Sequence, residues 1–216
     1  MGLFSFFSKN DDAIDEAKNE ADLELLAPVS GNLVPLGEVP DLVISEKLIG
    51  DGVAIIPDDS HILAPCSGIV SRLVASNNAF AIRTDSGIEV YVTFGIGTSN
   101  FTGEGLSSNV GIGDRVETGT PIINIDINHV SEQLESTITS MIVVNSSASI
   151  ARVISASGKV VAGQTPCTWV ILEDDNAQKR MKRTLNILNH KQRSASELFQ
   201  MQISGKLSRN YILYIT

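Results

Sequence analysis

The residues able to do chemistry in this sequence of 216 amino acids are few and widely spaced. The three histidines, His61, His129 and His190, have no spacing typical of a pair that ligates one metal ion. The two cysteines, Cys66 and Cys167, are far apart and form no CxxC pair. We therefore predict no metal site, and we expect both cysteines to be small buried residues of a protein kept in a reducing compartment.

The motifs that mark phosphate sites and activated serines do not occur either. The sequence contains no GxxxxGK[ST] and no GxSxG segment. Residues 95–105 are rich in glycine but lack the strand-then-helix context of a dinucleotide site, so we interpret them as a loop between strands. We expect no cofactor.

Residues 75–95 have the pattern of two strands joined by the turn Asp85-Ser86-Gly87, which predicts a β-hairpin. The polar positions of this hairpin include no evident nucleophile, strong base or metal ligand. On spacing alone, the chain is predicted to be an acidic β domain that serves as a binding module.

The elements around this hairpin indicate an all-β fold. Between Leu23 and Leu172, short apolar runs alternate with Gly, Pro, Asp and Asn, which predicts a compact antiparallel β-sandwich or barrel. Two pairs of similar segments suggest a duplicated hairpin motif: 27–34 with 64–71, and 113–122 with 158–167. We expect one or two short helices, over residues 130–136, capped by Ser131, and over residues 146–157.

Charge divides the chain into an acidic body and a basic tail. Residues 1–175 contain 8 Lys+Arg and 24 Asp+Glu, a sum of −16, whereas residues 176–216 contain 8 Lys+Arg and one acid, a sum of +7. We predict a flexible arm over 1–21, a β domain over 22–172 and a basic appendage over 173–216. The acidic body argues against nucleic acid as a partner of residues 22–172. Four interpretations of the tail stay open: it binds anionic lipid, it binds RNA, it binds the acidic body, or it is a solvated appendage.

The sequence predicts a cytoplasmic protein. No apolar run approaches the roughly 18 residues of a membrane span. The apolar start at residues 1–7 is too short for a signal peptide and lacks a positive n-region. We expect the first ten residues either to make weak contact with a membrane or a partner, or to be a frayed terminus.

Several runs in order along residues 22–172 resemble the glucose-specific enzyme IIA of the bacterial phosphoenolpyruvate-dependent sugar phosphotransferase system. The runs are APVSG, VPDLVISEKLIGDGVAIIP, ILAPCSGIV, NNAFAIRTDSGIEVYVTFGIGT and GDRVETGTPII. The basic tail is not part of this resemblance. The resemblance implies a compact antiparallel β-sandwich that receives a phosphoryl group from the phosphocarrier protein HPr on a histidine. It implies further partners: the B domain of the sugar permease (enzyme IIB/IIC), glycerol kinase and adenylate cyclase.

The same resemblance implies two active-site histidines, and this sequence departs from it at both. Asn78 matches the first histidine, Thr93 matches the phosphoryl acceptor, and Gly97 matches an aspartate close by. An amide nitrogen is not a nucleophile, and a threonine hydroxyl needs a base that the matched positions do not supply. These residues are also poor zinc ligands. We therefore predict that histidine phosphotransfer is lost.

The resemblance also implies a partner-binding surface. The positions that match it are Ile44, Val74, Tyr91, Phe80 and Asp41. For Ile44 and Val74 the alternative is ordinary packing in the fold.

We therefore interpret the chain as an enzyme IIA homologue that binds proteins as a regulator without carrying phosphate. Two alternatives stay open: a working phosphocarrier that uses Thr93 or His61, and a decaying gene copy without function.

Overall fold

The computed structural model describes Ile14 and residues 18–98, 101–130 and 132–173. Strands dominate this part of the chain. The first seven are β1 (Leu23–Leu26), β2 (Gly31–Pro35), β3 (Gly50–Pro57), β4 (His61–Leu63), β5 (Gly68–Leu73), β6 (Ala79–Arg83) and β7 (Glu89–Ile96). The next seven are β8 (Leu106–Ser108), β9 (Arg115–Val116), β10 (Pro121–Ile125), β11 (Ser136–Val144), β12 (Ile150–Ser155), β13 (Gly158–Val160) and β14 (Pro166–Leu172). Residues 18–20 are helical, and the other helical elements are a 3-10 turn (Leu36–Glu38), α1 (Leu42–Ser45) and α2 (Ile127–Val130).

The strands form three antiparallel sheets, which confirms the all-β prediction. The large sheet has the order β13-β2-β3-β11-β7-β6-β5-β9. The two small sheets have the orders β1-β14-β12 and β4-β10-β8. The core lies between these sheets, where side chains of all three form one buried cluster.

The duplication predicted from the sequence is visible in the strand pairing. β13 pairs with β2, with Val160 opposite Gly31, and β9 pairs with β5 in the same register, with Val116 opposite Gly68. The hydrogen bonds behind these strands repeat as well. Gly163 N donates to Ala27 O at 2.9 Å in one half, and Gly119 N donates to Ala64 O at 2.8 Å in the other. The repeated sequence segments therefore build two copies of one hairpin arrangement.

Buried and partly exposed side chains alternate along strand β7, so one face of the strand lies in the core and the other lies outside it. Val90, Val92 and Phe94 are fully buried, and each contributes about 1.5–3 kcal/mol by leaving water. Tyr91 and Thr93 point to the opposite face and are only partly buried.

The segment that contains the 3-10 turn and α1 covers part of that outer face. Its Leu36, Val39 and Ile44 form a second, smaller core with residues of the large sheet. Asp41 begins α1 as its N-cap, since its Oδ1 accepts hydrogen bonds from Val43 N at 2.9 Å and Ile44 N at 3.1 Å. The segment is thus anchored by apolar burial and by a cap.

The helix predicted over residues 130–136 is wrong. Helix α2 ends at Val130, where that prediction starts, and strand β11 begins at Ser136. The carbonyl of Asp126 accepts from the backbone N–H groups of His129 and Val130, so the turn forms at Asp126. Ser131, the predicted cap, lies outside the described residues.

The helix predicted over residues 146–157 is also wrong, because Ile150–Ser155 form strand β12. The strand has a bulge between Ile150 and Arg152. A bulge adds one residue, so Ile150 and Val153, three positions apart, both pack on the core. Their spacing imitates the period of a helix.

The residues just before β1 are attached to the sheet β1-β14-β12. Lys18 lies over the ring of Trp169, with Nζ 5.9 Å from its centroid, and Glu20 pairs with Arg152 at 3.1 Å. Residues 18–21, which we assigned to a flexible arm, thus include two residues that contact the body. No helix in the described ranges is long and apolar enough to span a bilayer. The predictions for residues 1–13 and 174–216 fall outside the described residues.

Candidate functional site

The hairpin of β6 and β7 brings residues 78 and 93 together through backbone hydrogen bonds between the two strands. Thr93 lies opposite Ala79 in the register, and Phe94 N donates to Asn78 O at 2.7 Å. Residue 78 is therefore the last position before β6 and faces the end of β7. The tight turn that precedes it includes Asn77 at a φ of 54°.

The Asn78 side chain is buried and engaged in hydrogen bonds. Its Oδ1 accepts from the Ser76 hydroxyl, and its Nδ2 donates to Phe94 O at 3.4 Å. Only 6% of Asn78 is exposed. An amide nitrogen has no free lone pair, so the Asn78 side chain is not a nucleophile.

Thr93 lies on the outer face of β7, two residues from Tyr91. Burial raises the pKa of the Tyr91 phenol, and a hydrogen bond with the Thr93 side chain acts in the opposite direction. The hydroxyl of Thr93 opens into a depression of about 430 Å³, which we call the Thr93 depression. The residues that line it are Pro40, Asp41, Val43, Ile44, Ile49, Tyr91, Thr93, Gly95, Ile96, Gly97, Thr98 and Glu135.

Two carboxylates, Asp41 and Glu135, line the Thr93 depression, and none of its described lining residues is Lys, Arg or His. Glu135 was not among the site residues predicted from the sequence. It stands 38 positions after Gly97 and comes close only because Ser136 of β11 lies opposite Ile96 of β7. No short-range motif could have identified it.

Glu135 occupies the space beside Gly97. A Cβ atom on Gly97 would lie 2.6 Å from Glu135 Cγ and 3.0 Å from its Oε1. The φ of Gly97 is +76°, a left-handed conformation that glycine adopts without strain.

A second depression of about 560 Å³ adjoins the first and shares Tyr91 and Ile49 with it. We call it the Arg72 depression. The residues that line it are Leu48, Ile49, Arg72, Val74, Glu89, Tyr91, Val144, Asn145 and Ser146.

A buried carboxylate, Glu89, forms the base of the Arg72 depression. Its side chain is 4% exposed and lies 2.7 Å from Arg83 Nη2 and 3.4 Å from Arg72 Nε. Ser71 Oγ donates to it at 3.1 Å. Burial alone would raise the pKa of Glu89, but the hydrogen bonds from Arg83 and Ser71 and the two positive charges outweigh it, so the pKa is lowered.

Comparison with known proteins agrees with this architecture. The sequence model of the family described as phosphoenolpyruvate-dependent sugar phosphotransferase system, EIIA 1, matches residues 23–149. This chain belongs to that EIIA family.

Individual EIIA relatives are similar over most of their length. A glucose-specific EIIA component from Borreliella burgdorferi is 38% identical over 146 residues, which cover 68% of this chain and 72% of that protein. Another from Haemophilus influenzae is 34% identical over 167 residues, or 76% of this chain and 96% of that protein. The solved structure of glucose permease IIA from Mycoplasma capricolum aligns with a TM-score of 0.62 at 31% identity, covering 68% of this chain and 94% of that chain.

Within this EIIA fold, the predicted site residues do not all reach the surface. Asp41, Ile44, Tyr91, Thr93 and Gly97 meet around the Thr93 depression. Val74 lies in the adjoining depression, with 40% of its surface exposed.

Two members of the predicted partner-binding surface need correction. Phe80 is fully buried in the main core, because it lies opposite Val92 on the inner face of the hairpin. Ile44, a residue of α1, is 7% exposed and packs in the second core, which was the alternative predicted for it. Both therefore support the surface from below.

The other groups singled out in the sequence lie elsewhere in the EIIA fold. His61 in β4 lies 3.5 Å from Asp59 Oδ1, and His129 in α2 lies 3.7 Å from Glu104 Oε2. Neither lines the Thr93 depression. Cys66 and Cys167 are buried as predicted, and burial raises the pKa of each thiol to about 12. His190 lies outside the described residues.

Proposed function

We propose that this EIIA protein is a protein-binding regulator that does not carry a phosphoryl group on residues 78 and 93. The observation that supports this most directly is the composition of the Thr93 depression. Its described lining contains two threonine hydroxyls (Thr93 and Thr98) and two carboxylates but no imidazole, and the neighbouring Asn78 amide is held by Ser76 and Phe94 O.

Chemistry explains why this composition disfavours relay. An imidazole attacks phosphorus through a nitrogen lone pair that is available near neutral pH and forms a P–N bond that can be passed on. A phosphothreonine is a low-energy ester and a poor donor to a next protein.

The surface around the depressions supports a binding role. Five exposed apolar side chains lie around the two depressions, and we call this set the apolar rim: Leu42, Val43, Leu48, Ile49 and Val74. Exposed apolar surface grouped in this way is typical of a contact between proteins. The framework beneath the rim is intact, with Phe80 and Ile44 in their cores.

The partners proposed for this surface are those that the EIIA resemblance implies. They are HPr, the IIB and IIC parts of a sugar permease, and the regulated proteins glycerol kinase and adenylate cyclase. We place this role in the cytoplasm. A weak contact between the N-terminus and a membrane remains a proposal that concerns residues outside the described ranges.

A second candidate is a phosphocarrier that uses Thr93. The observation in its favour is Glu135, a carboxylate in the same depression that could accept the hydroxyl proton. The version with His61 as acceptor is less favoured, because His61 belongs to the sheet β4-β10-β8 and does not line this depression.

One experiment separates these functions. The full chain is incubated with phosphoenolpyruvate, enzyme I and HPr, and its intact mass is followed over time. We expect no added phosphate, together with measurable binding of a purified permease IIB domain in a titration calorimeter. A stoichiometric phosphate adduct that forms on the wild-type protein but not on Thr93→Val would favour the phosphocarrier. If the protein shows neither a phosphate adduct nor binding, a gene copy without function is favoured.

A further inference from the structure

The apolar rim concentrates the exposed apolar side chains of this protein on one surface. Of the nine large hydrophobic residues exposed in the described ranges, five belong to the rim. Leu42 is 73% exposed and Leu48 is 65% exposed. Leu42 lies in α1, and Leu48 follows the end of α1, where its N–H donates to Val43 O. Side chains this exposed add nothing to the core that α1 covers, so their apolar surface is available to a partner.

The charges on either side of the rim have opposite signs. On one side, the Thr93 depression has the carboxylates of Asp41 and Glu135. On the other side, Arg72 and Arg83 share the single negative charge of Glu89, which leaves a net charge of about +1 there. Both arginines are largely exposed, at 69% and 59% of their side chains, so they can form further contacts.

Tyr91 and Ile49 belong to both depressions and therefore mark the centre of this surface. A surface that is acidic on one side, apolar at the centre and basic on the other is complementary to itself. A two-fold axis through the centre would place the acidic side of each copy against the basic side of the other. The apolar rims would meet between them.

We propose that the occupant of this surface is a second copy of the chain, in a symmetric dimer centred on Tyr91 and Ile49. Glu135 of each copy would then lie near Arg72 of the other, and the rims would be buried together. This inference rests on the proposed function, because the dimer closes the same surface that would bind regulated partners. Self-association would therefore regulate how much of the protein is available to them.

The dimer is expected to be weak. The rim is formed by only five side chains, and the acidic body carries like charges that oppose association. A dissociation constant on the order of 0.1 mM is typical of a small contact of this kind.

The test is sedimentation velocity on the full chain, from about 5 µM to about 1 mM at roughly physiological ionic strength. Glu135→Arg and Arg72→Glu should each weaken the dimer about tenfold, since the symmetry repeats every charge contact twice. The double variant should recover the wild-type constant, because both copies then carry the exchanged charges. Arg152→Glu, on strand β12 of another sheet, is the matched control and should leave association unchanged.

The outcomes are clear for each hypothesis. A monomer at every concentration, or a double variant as weak as the two single variants combined, would overturn the dimer. A Leu48→Ser variant should also dissociate. Because Arg72 also pairs with the buried Glu89, circular dichroism and urea midpoints would show that the Arg72 and Leu48 variants are folded. The dimer can fail while the permease IIB domain still binds, which would leave the proposed function standing and assign the surface to other proteins.

Discussion

Glu135 lies against Gly97, where a Cβ atom on the glycine would come within 2.6 Å of the Glu135 Cγ. The two residues belong to different segments, one ending β7 and the other preceding β11. An acidic side chain at position 97 and the acidic side chain of Glu135 would therefore compete for one space. This relationship determines how a phosphoryl-accepting site could be rebuilt here.

We predict that the triple change Asn78→His, Thr93→His and Gly97→Asp transfers phosphate poorly unless Glu135 is also shortened. Aspartate tolerates the left-handed backbone at 97 better than most residues, but it would lie beside a like charge. Adding Glu135→Ala should raise the phosphorylated fraction several-fold, as measured by intact mass after incubation with enzyme I and HPr. If the phosphorylated fraction is the same with and without Glu135→Ala, the Glu135 side chain adopts another rotamer that leaves room for the aspartate.

We predict that Asp41→Ala lowers the free energy of unfolding by about 1 kcal/mol, because two N–H groups at the start of α1 lose their acceptor. Asp41→Asn is the matched variant, since asparagine caps helices as well as aspartate and removes only the charge. Urea midpoints compare the two. If alanine and asparagine are equally destabilising, charge rather than capping holds the α1 segment.

Thr139 has a fully buried hydroxyl for which the described residues provide no hydrogen-bond partner. It lies between Ile55 and Phe94 in the register, so Thr139→Val would replace an unpaired polar atom with a methyl group of similar size. We expect the free energy of unfolding to rise by about 1 kcal/mol.

Thr168→Val is the matched control for that change, because the equally buried Thr168 hydroxyl lies 3.1 Å from Ser155 Oγ. This substitution should lower stability by about 1 kcal/mol. A loss of stability at both positions would mean that the Thr139 hydroxyl is hydrogen-bonded in solution.

Glu89 should give the protein a pH-dependent part of its stability. Its pKa is lowered in the folded state, so its contribution is complete above the pKa of unfolded glutamate, near 4.5, and is lost as the pH falls through the folded value. We predict that Glu89→Gln costs about 2 kcal/mol at pH 7 and much less at pH 3. Urea unfolding at the two pH values measures the difference.

Asp85→Asn is the comparison for Glu89. The Arg115 guanidinium holds the pKa of Asp85 below its ordinary value through a hydrogen bond and its charge, with Nη2 at 2.7 Å from Oδ2. That pair is exposed, so its effect should be small and should disappear in high salt. A Glu89 variant with the same salt sensitivity would show that water reaches its site in solution.

The sequence predicted the β architecture and the duplication because both depend on local alternation and on turns at glycine. The prediction of secondary structure failed where one extra residue interrupted the two-residue alternation of a strand, as at the bulge of β12 between Ile150 and Arg152. The sequence also placed Phe80 on the surface, because matching a family surface by position does not tell which face of a strand a residue takes. The register, with Phe80 opposite Val92, decides that.

Only the site residues that are close together in the sequence could be predicted. Asn78 and Thr93 lie on one hairpin, so a single stretch of sequence identified both. The rest of the site depends on contacts between distant segments: Glu135 precedes β11, and Arg72 and Arg83 meet around Glu89 only after β5, β6 and β7 have paired. Such neighbours follow from tertiary structure, which no spacing pattern encodes.

Main-chain atoms hold residues 78 and 94 together, through the hydrogen bond from Phe94 N to Asn78 O. Such a bond forms whatever side chains these positions carry. The shape of this site and its reactivity can therefore change independently in evolution, so an ancestor could lose its reactive groups in single steps without passing through an unfolded intermediate. A surface held by main-chain bonds stays available to partner proteins whichever side chains occupy positions 78 and 93.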